Sequence, residues 1–307
     1  MSATSKAACA AALCTLAACA HAGTPLPQQQ VTRARVQPQT YPTDQTLLFE
    51  GDTGNQYVAI YKAGRLKKNP LSIALITDDV YCPEGMALDK KGTLYVANGC
   101  GSTPEVTEYP KGSTTHTVTI SDGINYPSGL AIDKKGTLYV TSYPAAVVEY
   151  AYGTTAPRLT ISGQGLSDPY GLALDKKDNL YIADSDAHAV FEVPYGTTTV
   201  EDLELQDLDT PVNVKFDNAG NLWESDNGNN YSKGYVNVYP PGSQTPSQTI
   251  TGFGYPYALS IDKRGIAVVG NVGYPEAVYA YKPGEYTPYA TLTTGISEPT
   301  GLLIARP

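Results

Sequence analysis

The residues best suited to binding or catalysis in this chain of 307 residues are carboxylates and amides that sit in hydrophobic stretches. Glu84 stands in the segment PEGMALD, and Glu224 begins a polar run that also contains Asp226 and Asn227. Carboxylate and amide oxygens are the ligands that calcium prefers in proteins. We therefore take Glu84, Glu224 and Asp226 as candidate ligands of a divalent cation such as calcium.

Histidine offers little support for acid–base or nucleophilic catalysis. The sequence has three histidines, His21, His116 and His188, and they stand in unrelated contexts. A catalytic triad needs a histidine between a nucleophile and a carboxylate, and no such group can be assembled here. The sequence therefore predicts no catalytic residue, and whether the protein is an enzyme stays open.

An internal repeat decides how the polar residues are placed. CPEGMALDKKGTLYVANG begins at residue 82, YPSGLAIDKKGTLYVTSY at 126 and DPYGLALDKKDNLYIADS at 168, and variants follow at 210, 255 and 298. The first proline of each unit falls at residue 83, 127, 169, 211, 256 or 299, so successive units are 42 to 45 residues apart. A fixed period of this length is typical of solenoids and propellers.

Each unit reads as four short β-strands. Apolar and polar residues alternate on both sides of an Asp-Lys-Lys-Gly turn or a variant of it, which predicts a hairpin. A third strand ends near a Tyr/Pro-Gly signal, and a fourth short strand follows. Four strands in about 43 residues are typical of a β-propeller blade.

The two ends of the repeat array predict how the propeller closes. Residues 46–64 match a second and a third strand without a first, and residues 299–305 supply a first strand alone. Together these halves make one blade, which removes the exposed sheet edges. The sequence thus predicts an all-β fold over residues 44–307, a six-bladed β-propeller closed by its N- and C-terminal strands.

In such a propeller, the starts of the first strands and the ends of the second strands meet on one face, which we call the upper face. We expect its ligand-binding residues to be Glu84, Asn98, Tyr170, Asp184, Asp226, Asn227, Tyr257 and Asn271. Tyrosines beside the prolines add an aromatic rim, suited to a small molecule, a glycan or a protein. The alternative interpretation is that the Asn and Asp residues cap turns and the rings pack on prolines.

The turns between first and second strands predict a basic lower face. Eight cations stand there: Lys90, Lys91, Lys134, Lys135, Lys176, Lys177, Lys263 and Arg264. They are either solvated turn residues or a patch that orients the protein toward an anionic surface or partner. The formal net charge of −9 excludes a general nucleic-acid binder.

The repeat P-x-G-[LM]-A-[LI]-D-x-x-G-x-L-Y-[VI]-A-[ND] resembles the NHL-repeat propellers and the wider six-bladed superfamily of gluconolactonase-like and virginiamycin B lyase-like proteins. This resemblance implies a metal site, and Glu84 matches the position of the superfamily's Glu ligand. The equivalent positions hold Ser128, Tyr170, Val212, Tyr257 and Thr300, which supply no further Asn or Asp. Asn213 is displaced by one residue and is expected on the other face of its strand.

The N-terminal segment predicts export. Residues 1–22 are small and apolar after Lys6, which is typical of a signal segment, and Leu16-Ala17-Ala18-Cys19 resembles the lipobox of bacterial lipoproteins. Cys19 would then carry a lipid that anchors the protein to the cell envelope. The alternative is ordinary cleavage at Ala20-His21-Ala22 and secretion. Residues 23–43 predict a disordered tether.

Two cysteines remain after the leader. In an exported chain, Cys82 and Cys100 are expected to form a disulfide. Because no apolar stretch of 18 residues follows the leader, no membrane-spanning helix is expected. The sequence therefore predicts an exported, monomeric propeller that binds a ligand or a protein at its channel face, with a metal-dependent lactonase or lyase-like enzyme as the alternative.

Overall fold

The structure is a computed structural model, and it describes residues 39–101, 103–229 and 233–307. These residues form six antiparallel sheets of four strands each. The predicted export signal, the lipobox at Cys19 and most of the predicted tether lie outside the described residues and stay predictions. The prediction of an all-β, six-bladed propeller is confirmed.

The strands follow the repeat along the chain. Blade 1 contains β1 (Leu47–Asp52), β2 (Tyr57–Lys62) and β3 (Ala74–Ile76), with a short 3₁₀ helix at Ala63–Lys68. Blade 2 contains β4 (Pro83–Leu88), β5 (Leu94–Asn98), β6 (Glu105–Tyr109) and β7 (Val118–Ile120). Blade 3 contains β8 (Leu130–Ile132), β9 (Leu138–Ser142), β10 (Ala146–Tyr150) and β11 (Pro157–Ser162).

The second half of the chain repeats this order. Blade 4 contains β12 (Pro169–Leu174), β13 (Leu180–Asp184), β14 (Ala189–Val193) and β15 (Glu201–Asp202). Blade 5 contains β16 (Pro211–Phe216), β17 (Leu222–Asp226), β18 (Gly234–Tyr239) and β19 (Gln248–Phe253). Blade 6 contains β20 (Pro256–Ile261), β21 (Ala267–Asn271), β22 (Ala277–Tyr281) and β23 (Ala290–Leu292), and β24 (Pro299–Ala305) returns to blade 1.

The ring closes through the pairing of β24 with β1. The register runs from Leu47 opposite Ala305 to Gly51 opposite Gly301, and the blade has the order β24-β1-β2-β3. The two ends of the propeller therefore share a sheet, as the sequence predicted.

The hairpin turn between first and second strands depends on its aspartate. In blade 2, one carboxylate oxygen of Asp89 accepts hydrogen bonds from the backbone N–H groups of Lys91 and Thr93, both at 2.8 Å. Gly92 follows with a φ of 84°, a conformation that side chains other than glycine rarely adopt. The same pair of bonds recurs in blades 3, 4 and 6, and blade 5 has the second of them, from Asn221 to Asp217.

Glycines let the first strands approach each other around the axis. A Cβ added at Gly85 would lie 2.3 Å from the carbonyl oxygen of Ser128, and one at Gly129 would lie 2.0 Å from that of Tyr170. No side chain fits at these two positions. Gly85 and Gly129 are therefore required where the first strands of blades 2, 3 and 4 approach each other.

The lysines that begin the turns link neighbouring blades on the lower face. The Lys90 ammonium donates to the carbonyl oxygen of Lys134, and the Lys134 ammonium donates to that of Lys176 at 2.6 Å. The Lys176 ammonium in turn donates to the carbonyl oxygen of Asn218 at 3.2 Å. These lysines therefore tie one turn to the next, which favours the structural interpretation of part of the basic lower face.

Residues 39–43, the end of the predicted tether, pack against the propeller. Thr40 forms a β-bridge with Ser113, and Tyr41 is buried with its ring 5.5 Å from that of Phe49. Ser113 belongs to a turn on the lower face, where the C-terminal Pro307 also lies, beside Gly92. Both ends of the described chain are thus on the lower face.

Two further predictions concern the covalent structure and the membrane. Cys82 and Cys100 form a disulfide with a Cα–Cα distance of 5.5 Å, so this prediction is confirmed. Within the described ranges, no helix is long and apolar enough to cross a membrane.

Candidate functional site

The first strands bring six predicted positions together around the axis. Glu84, Ser128, Tyr170, Val212, Tyr257 and Thr300 all line one central cavity. Its volume is about 30 Å³, which is room for one or two water molecules. The channel is therefore almost filled by its own side chains.

Glu84 is the carboxylate of this cavity. Burial, reinforced by the nearby charge of Asp168, raises its pKa to about 8, although a hydrogen bond with Tyr257 lowers it in part. The Tyr257 ring meets the Tyr170 ring edge to face at 5.8 Å. Three of the predicted ligand-binding residues are thus neighbours, and they form a small cluster of one acid and two phenols.

Lys215 lines the same cavity and was not predicted from the sequence. Its ammonium donates to the carbonyl oxygen of Leu172 at 2.5 Å and to the side-chain oxygen of Asn213 at 3.2 Å. Burial lowers its pKa to about 8. The signal was present, because Asn213 and Lys215 stand where other repeats place the small residues Gly and Ala.

Asn213, expected on the other face of its strand, also lines the cavity beside Val212. The reason is an irregularity in the pairing of β16 with β17, where the register shifts between Pro211 and Asn213. A bulge of this kind turns two successive side chains toward one side, which a strict alternation forbids.

The predicted ligand residues at the ends of the second strands have a different environment. Asn98, Asp184, Asp226 and Asn271 are each fully buried. The Asp184 carboxylate accepts hydrogen bonds from the backbone N–H groups of Ser167, Asp168 and Ala187. The side chains of these four residues are thus hydrogen-bonded to the loops that lead into the first strands. They hold the loops of the upper face in place and are not exposed on it.

The other members of this set make equivalent bonds. Asp226 accepts from the backbone N–H groups of Asp209, Thr210 and Gly228. Asn271 accepts from those of Gly254 and Tyr255, and Asn98 accepts from that of Tyr81. In blade 1 the position belongs to Asp52, which accepts from the backbone N–H groups of Ser297 and Glu298 and was not predicted.

Glu224 lies within the core of blade 5 and does not reach Glu84 in the channel. One of its carboxylate oxygens accepts a long hydrogen bond from Asn237 at 3.4 Å, and the other has no partner in the described part of the protein. Burial, with the charge of Asp226, raises its pKa well above the ordinary value. The neighbouring Asn227 is also buried, and its side-chain oxygen has no partner among the described residues.

Glu50 occupies the same position in blade 1 and was missed. It is fully buried, and neither carboxylate oxygen has a hydrogen-bond partner in the regions described. Burial raises its pKa well above the ordinary value, and the charge of Asp52 adds to this effect. Four other blades hold Val96, Val140, Ile182 or Val269 at this position.

The arrangement does not fit a divalent cation. Glu84 is the one carboxylate among the residues that line the cavity, and it shares the cavity with the ammonium of Lys215. A calcium ion needs several oxygen ligands without a competing cation. Across residues 39–101, 103–229 and 233–307, no three His, Cys, Asp or Glu side chains are placed to hold a metal.

Exposed tyrosines stand in loops of the upper face in three of the six blades. Tyr81, Tyr126 and Tyr274 are 37%, 53% and 95% exposed. The Tyr126 ring meets that of Tyr143 edge to face at 6.3 Å. The predicted aromatic rim thus divides into exposed rings at the surface and the pair Tyr170 and Tyr257 inside the cavity.

Comparisons with known proteins show the fold and not the family. No protein-family model matches the sequence, and no curated protein matches it. A chain from the crystal structure of a nidogen/laminin complex is similar, with a TM-score of 0.70 and 19% identity over 84% of this chain and 98% of that one. A protein of unknown function from Bacteroides caccae is also similar, with a TM-score of 0.65 and 12% identity over 86% of this chain and all of that one.

Proposed function

We propose that the protein is an exported binding module whose upper face holds a protein partner. The observation that carries the proposal is the exposure of Tyr81, Tyr126 and Tyr274 in loops of the upper face, together with a central channel that is nearly closed. Tyrosine is enriched at the energetic centres of protein interfaces, because it offers a large apolar surface with a polar tip. An aromatic surface without a deep pocket suits a protein partner, which offers an extended surface, better than a small molecule.

The small volume of the central cavity supports a binding module over an enzyme that acts on small molecules. Sites for small ligands usually have volumes of roughly 300 to 1,000 Å³. The cavity beside Glu84 has about 30 Å³, a tenth of the lower limit. A substrate that entered it would have to displace several of the lining side chains.

Two further observations agree with the proposal. The structural neighbour of 19% identity is part of a complex between two proteins, nidogen and laminin. The disulfide between Cys82 and Cys100 is typical of exported proteins. We further propose the export signal over residues 1–22 and lipid attachment at Cys19, which replacement of Cys19 by Ala tests through the loss of membrane partition.

The experiment that tests the binding face is site-specific photocrosslinking in the native host. We replace Tyr274 by benzoylphenylalanine, and as a matched control we replace Tyr195, which is 40% exposed on the lower face. We expect a protein adduct at position 274 and none of the same mass at 195. The adduct should fall at least tenfold when Tyr126→Ala is added, since hot-spot tyrosines contribute about 2 kcal/mol or more. Equal adducts at both positions, or none at 274, would contradict the proposal.

One observation favours the alternative of a lactonase or lyase-like enzyme. Glu84 and Lys215 line the same cavity, and their pKa values are both moved to about 8. Groups shifted in this way are frequent in active sites. The test compares turnover of a lactone panel by the wild type and by Glu84→Gln, with and without a chelator. If the wild type turns over a lactone and Glu84→Gln does not, the protein is an enzyme and the proposal of a binding module is wrong.

A further inference from the structure

A groove opens on the lower face between blades 4 and 5, away from the channel mouth. Its volume is about 560 Å³, which is within the range of small-molecule sites. Tyr181 and Phe216 line it with their rings in edge-to-face contact at 4.7 Å, and Leu203 and Leu205 also line it. None of these residues belongs to the upper face.

The corresponding gaps between earlier blades are occupied by a tyrosine. Between blades 2 and 3, the Lys91 ammonium lies 4.9 Å from the centre of the Tyr152 ring. Between blades 3 and 4, the Lys135 ammonium lies 5.2 Å from the centre of the Tyr195 ring. In both cases the second lysine of a turn stacks on a ring from the next blade, an attraction between a cation and the face of an aromatic ring.

Between blades 4 and 5 the lysine is present and the ring is absent. Pro241 in the segment YPPG takes the position that Tyr152 has in YAYG and Tyr195 has in VPYG. Lys177 therefore lines the groove, and its ammonium lies over no aromatic ring among the residues that the structure describes.

The groove is also wide because the outer strand of blade 4 is short. β15 has two residues, and the apolar Leu203 and Leu205 follow it as irregular chain at the edge of the groove. A missing ring and a short strand together leave apolar surface with one unmatched cation beside it.

The carboxylates of the groove are already engaged. Asp175 accepts from two backbone N–H groups of its turn, and Asp217 accepts from the indole N–H of Trp223 at 3.2 Å. Glu192 is hydrogen-bonded to Tyr181. A cationic ligand would meet Lys176 and Lys177, and an anionic ligand would meet these three carboxylates, so the charges favour an uncharged ligand.

We propose that this groove binds a small uncharged aromatic molecule. Its ring lies over the Lys177 ammonium, in the place that Tyr152 and Tyr195 fill in the other gaps. The remainder of the molecule packs on Phe216 and Leu205. The site is independent of the upper face and of the proposed protein partner.

The test uses p-cresol, which is the tyrosine side chain as a free molecule, and its saturated analogue methylcyclohexanol. Binding to the full chain is followed by NMR through the methyl groups of Leu203 and Leu205. We expect p-cresol to shift these signals in a saturable way and methylcyclohexanol to bind more weakly. Lys177→Met should weaken p-cresol about two- to fivefold, the usual contribution of an exposed cation over a ring. The matched control Lys91→Met, whose lysine already has Tyr152, should leave p-cresol binding unchanged.

A second variant places an aromatic ring of the protein itself in the groove. Pro241→Tyr recreates the sequence of the earlier blades and should abolish p-cresol binding without lowering the melting temperature. The proposal is overturned if p-cresol binds this variant as it binds the wild type, or if Lys177→Met and Lys91→Met behave alike. A concentration-dependent dimer that Pro241→Tyr dissolves would place a second copy of the chain in the groove and would also overturn it.

Discussion

Replacing Glu50 by Val should stabilise the protein, and the gain should increase with pH. Glu50 is fully buried in β1 with two carboxylate oxygens that have no partner among the described residues. A buried polar group without a hydrogen bond costs about 1 to 3 kcal/mol of folding free energy. Valine or isoleucine holds the equivalent position in four other blades, at Val96, Val140, Ile182 and Val269, so we expect valine to be accommodated here as well.

The pH dependence follows from the direction of the pKa shift. Burial raises the pKa of Glu50 in the folded protein well above its ordinary value. Above the unfolded-state pKa, the unfolded chain ionises this group while the folded protein keeps it protonated, so rising pH favours unfolding. The slope is about 1.36 kcal/mol per pH unit until the folded-state pKa is reached. Between pH 5 and pH 7, the advantage of Glu50→Val should grow by up to about 2.7 kcal/mol.

The assay is thermal and urea unfolding of both proteins at a series of pH values. For a domain of this size, 1 kcal/mol corresponds to roughly 2 to 4 °C, so the difference in melting temperature should widen by roughly 5 to 10 °C. Glu50→Gln is the control that removes the charge and keeps the polar group, and it should remove the pH dependence with a smaller gain. A constant difference between wild type and Glu50→Val across pH, or a loss of stability, would refute the reasoning.

Three further predictions concern the upper face. The double variant Cys82→Ala and Cys100→Ala should lose about 3 kcal/mol of unfolding free energy in urea, because the bond closes a loop with a sequence separation of 18 residues. Asp184→Ala should lose roughly 3 kcal/mol by the same measurement, since three half-buried backbone N–H groups lose their charged acceptor. Tyr257→Phe should raise the pKa of Glu84 further above about 8, because the hydrogen bond that it removes lowers that pKa, and carboxyl NMR would show the change.

The fold was predictable because its signals are local. An Asp-Lys-Lys-Gly turn at a fixed distance from a proline defines a hairpin, and the period of 42 to 45 residues repeats it. The same counting placed Glu84, Tyr170 and Tyr257 around one cavity, because each stands at a fixed offset from its proline. Residues at a fixed offset within the repeat could therefore be placed as reliably as the repeat itself.

The missed residues depart from the template. Blade 1 lacks a complete repeat, so neither Asp52 nor the buried Glu50 was recognised in the sequence. Lys215 could have been found only by noticing that a lysine replaces the Ala of the other repeats at a position that faces the channel. Whether Asp184 and Asn271 face a ligand or a loop depends on the path of the chain before the first strand, which spacing does not reveal.

The position of Gln39 has a consequence for how the molecule can be held. Gln39 is bonded to Thr114 at a turn on the lower face, opposite the exposed rings of Tyr126 and Tyr274. A support coupled at Gln39 itself would therefore hold the propeller by the face opposite those aromatic rings.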